Sequence, residues 1–343
     1  MWSYRWVMVA GTGAAAAVTL AAVTLSAVAA PSAPAPGVPA QRTPASHAAP
    51  AAPAAPASPA DAPAAPAAPA ARQALAGPVV ALGDSYTAGE MLPLNLTSQP
   101  PGCLRSPEAY PALVASALKA TFVDAACSGA GVKEMTGSQR TYLGTNPPQL
   151  SALAPDDALV LLTLGGDDVG FMNVLHTCMT LSITHLGEGS PCKSHYTSGG
   201  TDQLAAKVTA ETAKMAAVLD AIHERAPQAR IVVVGYPDLF PQSGGCWPKV
   251  PITNGDVAYL GGIGTQLNAM LAGTAAAAGA TFVDTYTPTI GHDICQSGAV
   301  KYVEGLVPTS LTFSFHPNAR GQAAMAAQVL AALQGRGLQP RYG

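Results

Sequence analysis

The stretch Val79-Val80-Ala81-Leu82-Gly83-Asp84-Ser85-Tyr86-Thr87-Ala88-Gly89-Glu90 decides how the rest of the chain is read. Val79 to Leu82 is a short apolar run with β-branched residues, the pattern of a buried strand. Gly83-Asp84-Ser85 follows at once, so the chain leaves that strand in a turn with a serine at its edge. In an open α/β sheet, ligands bind beyond the carboxyl ends of the strands. A serine there can act as a nucleophile when a base lies within reach. The octet from Gly83 equally suits a strand-ending turn in which Asp84 and Ser85 satisfy backbone groups only. The rest of the chain has to separate the two.

Further strand-like runs follow at Thr121 to Asp124, Ala158 to Leu164, Arg230 to Val234 and Thr281 to Asp284. Between them lie helical patterns at Glu108 to Ala120, Thr201 to Arg225 and Asp256 to Ala278, and Asn318 caps a last helix to about Leu333. Strand and helix alternating in this way predict an α/β fold, a five-stranded parallel sheet with helices on both faces. Three loops leave the carboxyl ends of strands: Gly83 to Glu90, Cys127-Ser128-Gly129-Ala130, and Gly165-Gly166-Asp167-Asp168-Val169-Gly170-Phe171. In a parallel sheet they converge on one edge, and their glycines let backbone N–H groups approach a ligand closely. The Phe171 to Tyr196 stretch and the Gly244-Gly245-Cys246-Trp247 stretch read as loops walling a pocket there.

Upstream of this domain the composition changes. Residues 1–30 carry Arg5, a long apolar stretch and then Ala27-Val28-Ala29, the three regions of a secretory signal peptide; an uncleaved anchor is the other reading. Residues 31–76 are dominated by Ala and Pro, too poor in large apolar groups to form a core, and read as a disordered linker. The ordered domain is expected at 77–343. This organisation predicts an extracellular, secreted protein, or one tethered to the cell envelope through its N-terminal segment, and a monomer. Net charge is −3 and only 11% of residues are charged, without a basic run, which argues against nucleic acid as a partner. All six cysteines lie in the domain and none forms a CxxC pair, which counts against zinc and points to disulfides. The sequence leaves their connectivity open. Sequential pairing, Cys103–Cys127, Cys178–Cys192 and Cys246–Cys295, is the expectation, each pair closing a loop region.

A nucleophilic serine needs a base and an oxyanion site. Of seven histidines, His316 in Ser314-Phe315-His316-Pro317-Asn318 stands in a loop just before the terminal helix. Taken together, Gly83-Asp84-Ser85, Gly129, Gly165-Gly166-Asp167-Asp168 and His316, four blocks in order, resemble the SGNH (GDSL-type) hydrolases. The layout is similar to the secreted actinobacterial esterases and lipases of that family, whose six cysteines form three disulfides, in keeping with sequential pairing. The resemblance covers the domain from Val79 to the terminal helix. It implies a three-layer, flavodoxin-like α/β/α sandwich and hydrolysis of carboxylic esters, with no metal or organic cofactor. Carried over, Ser85 is the nucleophile of an acyl-enzyme, His316 its base, and the N–H groups of Ser85 and Gly129 are oxyanion donors.

Two positions depart from the family pattern. Three residues before His316, where the family usually has Asp, stands Phe313. The resemblance implies that the Phe313 main-chain carbonyl orients His316 in a Ser–His dyad, with a remote carboxylate such as Asp84 or Asp293 as the alternative. Where the family supplies Asn as a third oxyanion donor stands Asp167, which can donate only when neutral. Burial or the neighbouring Asp168 can keep it so; otherwise the site is slow or binds without much turnover. The substrate is then an acyl ester or lipid. The alternatives are a polysaccharide deacetylase, a phospholipase of the same fold, or a weakly active or non-catalytic envelope binding protein. An apolar trough beside Ser85 favours fatty acyl chains, and an open polar cleft favours acetylated sugars.

Overall fold

The computed structural model describes residues 77–90 and 93–335. The expected signal peptide at 1–30 and linker at 31–76 lie outside the described residues. The described chain opens with β1 (Val79–Gly83), the one-turn α1 (Ser85–Ala88), α2 (Tyr110–Leu118) and β2 (Phe122–Asp124). The short α3 (Lys133–Thr136) precedes a hairpin of β3 (Gln139–Thr141) and β4 (Gly144–Asn146), and β5 (Leu159–Thr163) follows. Next come α4 (Gly166–Val169), α5 (Phe171–Thr184), α6 (Pro191–Thr197), α7 (Gln203–Arg225) and β6 (Arg230–Val234). Last are α8 (Asn254–Ala277), β7 (Thr281–Val283) and α9 (Ala319–Leu333).

β1, β2, β5, β6 and β7 form one parallel sheet in the order β2-β1-β5-β6-β7. The central strands β1 and β5 are buried at every residue because both faces are covered, and alternate residues serve opposite layers. Val79, Leu159, Leu161, Val232 and Val234 pack with Tyr110 and Val114 of α2 and Met325 and Val329 of α9. Val80, Leu82, Val160, Leu162 and Val233 join the opposite cluster, with Leu175 of α5, Leu219 of α7 and Leu271 of α8. Each such side chain contributes about 1.5–3 kcal/mol by leaving water. The result is a three-layer α/β/α sandwich.

The chain builds outward from β1 to β2 and returns to β5 on the other side of β1. The strand order therefore reverses at the β1–β5 gap, where a crevice opens beyond the carboxyl ends. Gly83 of β1 is in register with Thr163 of β5, so the loops that follow the two strands emerge side by side. Glycine is required at position 83: φ is +128°, and a Cβ would stand 2.1 Å from the Thr163 carbonyl oxygen.

One expectation about these elements needs correction. Residues 171–196 are mostly α5 and α6, not a loop. Phe171, Val174, Leu175 and Cys178 do follow helical spacing, but Gly187 and Gly189 and the scattered polar residues mask it. The β3–β4 hairpin was not anticipated, because Gln-Arg-Thr and Gly-Thr-Asn carry no apolar alternation. Disulfides join Cys103 to Cys127, Cys178 of α5 to Cys192 of α6, and Cys246 to Cys295. Cross-links closing loops of this order typically add about 2–4 kcal/mol by constraining the unfolded chain.

Candidate active site

Ser85 is the first residue of α1, and Asp84 caps that helix by accepting from the Tyr86 N–H at 2.9 Å. The peptide ahead of it is clamped by one side-chain amide. Gln149 accepts from Gly83 N–H at 2.6 Å and donates to Gly83 C=O at 2.9 Å. Among the described residues the Ser85 N–H has no protein acceptor, as befits the open end of a helix. Its hydroxyl stands 2.7 Å from Nε2 of His316.

His316 arrives from the far end of the chain, 231 residues on, in the loop before α9. That loop is held from both directions. The Phe315 N–H donates to Glu304 C=O and the Glu304 N–H to His316 C=O, each at 3.0 Å. The Glu304 carboxylate is wholly buried, pairs with Lys301 at 2.8 Å and accepts from Thr309, Ser310 and Asn318. Asn318 also caps α9. Across the site, Gln322 of α9 donates to the Tyr86 carbonyl at 3.2 Å, joining the histidine element to the serine element.

The carbonyl that holds the imidazole is that of Ser314, not Phe313. Nδ1 lies 2.8 Å from Ser314 O. The Phe313 carbonyl is taken up by the backbone N–H of His316 at 3.3 Å, closing a tight turn. Phe315 sits in the left-handed region at φ +64° within that turn, so the next carbonyl along faces the ring. Asp293 is turned away and accepts from Cys295 N–H and from Gln296. The carboxylate that touches the imidazole is Glu90, whose Oε2 lies 2.8 Å from Nε2.

Gly129 and Asp167 line the same cleft as Ser85 and His316. The Gly129 loop is fixed at its root by the Cys103–Cys127 disulfide, by Cys127 N–H on Gly83 C=O, and by Ser128 N–H on Cys103 C=O. Arg105 is buried beneath it and donates to Ala126 C=O at 2.7 Å. Gly129 has φ +75°, and its N–H has no protein acceptor among the described residues. Asp167 stands in α4, directly after the β5 end.

The electrostatics are dominated by acids. Burial first, then the charge of Asp167, pushes the Asp84 carboxyl up to about 8, although Tyr236 and the Tyr86 N–H donate to it. Burial likewise raises Asp167 to about 6; His316 works against this, and Asp168, Glu90 and Glu134 add to it. For His316 burial disfavours the charged ring. The Glu90 hydrogen bond and charge, the Ser314 carbonyl and Asp84 outweigh burial and hold its pKa above the ordinary imidazole value. Among the described residues no group of three or more His, Cys, Asp or Glu is placed to hold a metal ion.

Beside Ser85 opens a cavity of about 100 Å³. Phe171, Val174 and Leu175 of α5 form one wall, Leu260, Ile263 and Leu267 of α8 another, with Leu239 and Phe240 between them. The polar groups Asp84, Asp167 and His316 stand with Ser85 among these walls. Gly244 to Trp247 do not line the cavity, contrary to the sequence reading; Trp247 instead packs over Gly187.

A hydroxyl, an imidazole and two unengaged N–H groups thus share one cleft. The profile of the GDSL-like Lipase/Acylhydrolase family matches residues 81–324, spanning all of these residues. The chain belongs to that family. "Lipase 2" of Streptomyces coelicolor is 37% identical over 254 residues, covering 72% of this chain and 82% of that protein. The crystal structure of phospholipase A1 from Streptomyces albidoflavus NA297 superimposes with a TM-score of 0.62 at 29% identity, over 76% of this chain and 100% of that one. The extracellular lipase of Streptomyces rimosus gives 0.62 at 30%, over 75% and 99%. This family member is a carboxylic ester hydrolase of the lipase and esterase type, with the SGNH hydrolase fold.

Sequence reasoning missed Glu90, Gln149, Tyr236 and Glu304. Glu90 was in the opening stretch, but nothing in its spacing announces a contact with a residue more than 200 positions away. Gln149 opens a one-turn 3-10 helix, Tyr236 and Glu304 lie in loops, and all three are single polar residues without periodic context. Glu304 carries the only faint signal, a Lys301–Glu304 spacing that ordinarily marks a solvated pair.

Proposed function

We propose that this protein is a secreted lipase or esterase that cleaves fatty acyl esters through an acyl-enzyme on Ser85, with His316 as general base. The observation that carries this reading is the 2.7 Å contact between Ser85 Oγ and His316 Nε2 beside an apolar cavity. In this scheme the Ser85 proton passes to Nε2 as Oγ adds to the ester carbonyl carbon. Negative charge gathers on the former carbonyl oxygen, within reach of the Ser85 and Gly129 N–H groups. The imidazolium then protonates the departing alkoxide, releasing the alcohol and leaving the acyl group on Ser85. Water, deprotonated by the same Nε2, attacks the acyl-enzyme and frees the acid.

The cavity walls favour an acyl chain over an acetylated sugar, since they offer aliphatic and aromatic groups with few polar partners. That weighs against the deacetylase alternative. Phospholipids remain within the substrate class, given the similarity to a phospholipase A1 structure. Export is supported by the N-terminal sequence, the three disulfides and the extracellular S. rimosus lipase. The protein is taken to act as a monomer without a cofactor.

The test is hydrolysis of p-nitrophenyl esters from acetyl to long acyl, a triglyceride, a phosphatidylcholine and an acetylated xylan. Wild type should favour medium or long acyl chains, and Ser85→Ala should be inactive on all. Preference for acetylated xylan would move the substrate class to sugars, and turnover by Ser85→Ala would remove Ser85 as nucleophile. N-terminal sequencing of protein from culture medium should place cleavage near Ala29, whereas retention of residues 1–30 would indicate an anchor.

A further inference from the structure

We infer that Glu90 is the positioning residue of this site: its carboxylate holds the His316 imidazolium that forms when Ser85 gives up its proton. The inference rests on the Ser85–His316 reading above and identifies where the compensating charge resides.

The hydrogen-bond inventory of the ring leads to it. Nδ1 faces Ser314 O at 2.8 Å, and a carbonyl only accepts, so Nδ1 carries a hydrogen. Nε2 faces two groups, Ser85 Oγ at 2.7 Å and Glu90 Oε2 at 2.8 Å. A carboxylate oxygen so close to a bare nitrogen lone pair would be repulsive; next to an N–H it makes a charge-assisted hydrogen bond. The arrangement therefore suits a doubly protonated ring, the charge state reached just after Ser85 transfers its proton.

Glu90 is built into place from both flanks of the site. Its Oε1 accepts from Ser128 Oγ at 3.0 Å, next to Gly129, and its backbone carbonyl accepts from Thr312 Oγ1 at 3.1 Å, in the histidine loop. It is buried. The other titratable groups facing His316 are Asp84 and Tyr86 on the β1–α1 element and Asp167 on α4. None of these hydrogen-bonds the ring, and the Ser314 carbonyl on the Nδ1 side carries no charge. Contact charge comes from Glu90.

Two consequences follow, of opposite sign. Glu90 lowers the barrier to Ser85 attack by stabilising the positive ring. It also keeps the resting ring protonated to higher pH, so the base becomes available only as that proton is lost. The acid limb of activity then sits above where an isolated imidazole would place it.

The experiment uses the full chain with p-nitrophenyl butyrate between about pH 5 and pH 9, the range in which imidazole titrates. Glu90→Gln keeps the shape and an acceptor for Ser128 but removes the charge. It should move the acid limb of kcat/KM down by on the order of one pH unit or more. Plateau kcat should fall roughly tenfold or more, with KM changed little. Glu90→Asp should keep the limb near wild type. Ser128→Ala, which loosens Glu90 without touching its charge, should move the limb the same way by less. NMR titration of the His316 ring in Ser85→Ala and Ser85→Ala/Glu90→Gln should show the same downward shift without turnover, which a merely structural role would not produce. A wild-type limb and kcat in Glu90→Gln, with His316→Ala inactive, would overturn the Glu90 inference alone. Wild-type turnover by His316→Ala would instead overturn the dyad on which it rests.

Discussion

Tyr86 donates its hydroxyl to the main-chain carbonyl of Phe315 at 2.8 Å, across 229 residues of chain. The donor is the residue after the proposed nucleophile, and the acceptor is the residue before the proposed base. This buried bond ties the serine element to the histidine element at Phe315, whose left-handed backbone turns the Ser314 carbonyl onto the ring. Tyr86→Phe should lower stability by about 1–3 kcal/mol, since a buried carbonyl loses its partner. It should lower kcat roughly tenfold or more with little change in KM, because the reacting groups lose alignment rather than substrate contacts. Calorimetry and steady-state kinetics on a medium-chain ester check both; unchanged kcat would mean that the dyad is aligned by other contacts.

Asp167 should limit the enzyme above mildly acidic pH. In the proposed oxyanion site, a carboxyl raised to about 6 would donate below that value and stand as an anion above it. The benefit of a third donor is therefore lost as pH rises through about 6. Asp167→Asn donates at every pH, so its gain should be small near pH 5 and reach roughly ten- to a hundredfold in kcat near pH 8. A pH–rate profile of both proteins decides it: equal alkaline rates would show that the Ser85 and Gly129 N–H groups suffice.

Glu304 should govern acid stability through the loop that carries His316. Burial opposes its charge, but hydrogen bonds from Lys301, Asn318, Thr309 and Ser310 prevail and hold it at about 2, below its ordinary 4.5. A depressed carboxyl stabilises the fold above the unfolded value and loses that contribution as pH falls from 4.5 toward 2. Glu304→Gln leaves Lys301 buried without its counter-charge and should cost about 3–5 kcal/mol at neutral pH. It should also flatten the acid fall in melting temperature. A variant melting like wild type from neutral to acid pH would show that the pair does not support the loop.

Gly264 offers a way to reset chain length without disturbing the fold. It lies within α8 on the cavity wall, and a Cβ there would meet nothing within 4 Å. Gly264→Ala should stabilise the helix by up to about 1 kcal/mol and leave activity intact. Gly264→Phe should fill the cavity and shift preference toward acetyl and butyryl esters. A chain-length profile unchanged by Gly264→Phe would place the acyl group elsewhere.

Much of this was legible in advance where local pattern and final environment coincide. β1 and β5 are fully buried strands, and their unbroken apolar runs say so. Asn318 announces α9 because a capping side chain acts within three residues of its own position. Ser85, Gly129, Asp167 and His316 were singled out by their resemblance to the family's four blocks; each follows a strand end or precedes a helix, where topology gathers residues onto one edge, and all four line one cleft. The acid network was not legible. Glu90 meets His316, Tyr236 meets Asp84, and Gln149 meets Gly83 through tertiary contacts that leave no period in the chain. The family resemblance put the orienting role on the Phe313 carbonyl, and the positive φ of Phe315, unusual for a bulky residue, moves it by one position.

In the proposed mechanism Ser85 carries the acyl group during turnover. The most direct measurement is acid quench of the enzyme within milliseconds of mixing with p-nitrophenyl butyrate, followed by peptide mass spectrometry. A butyryl adduct should appear on Ser85, be absent from Ser85→Ala, and be hydrolysed more slowly at low pH, where His316 is protonated. Turnover with no adduct on Ser85, or with an adduct on another residue, would contradict it.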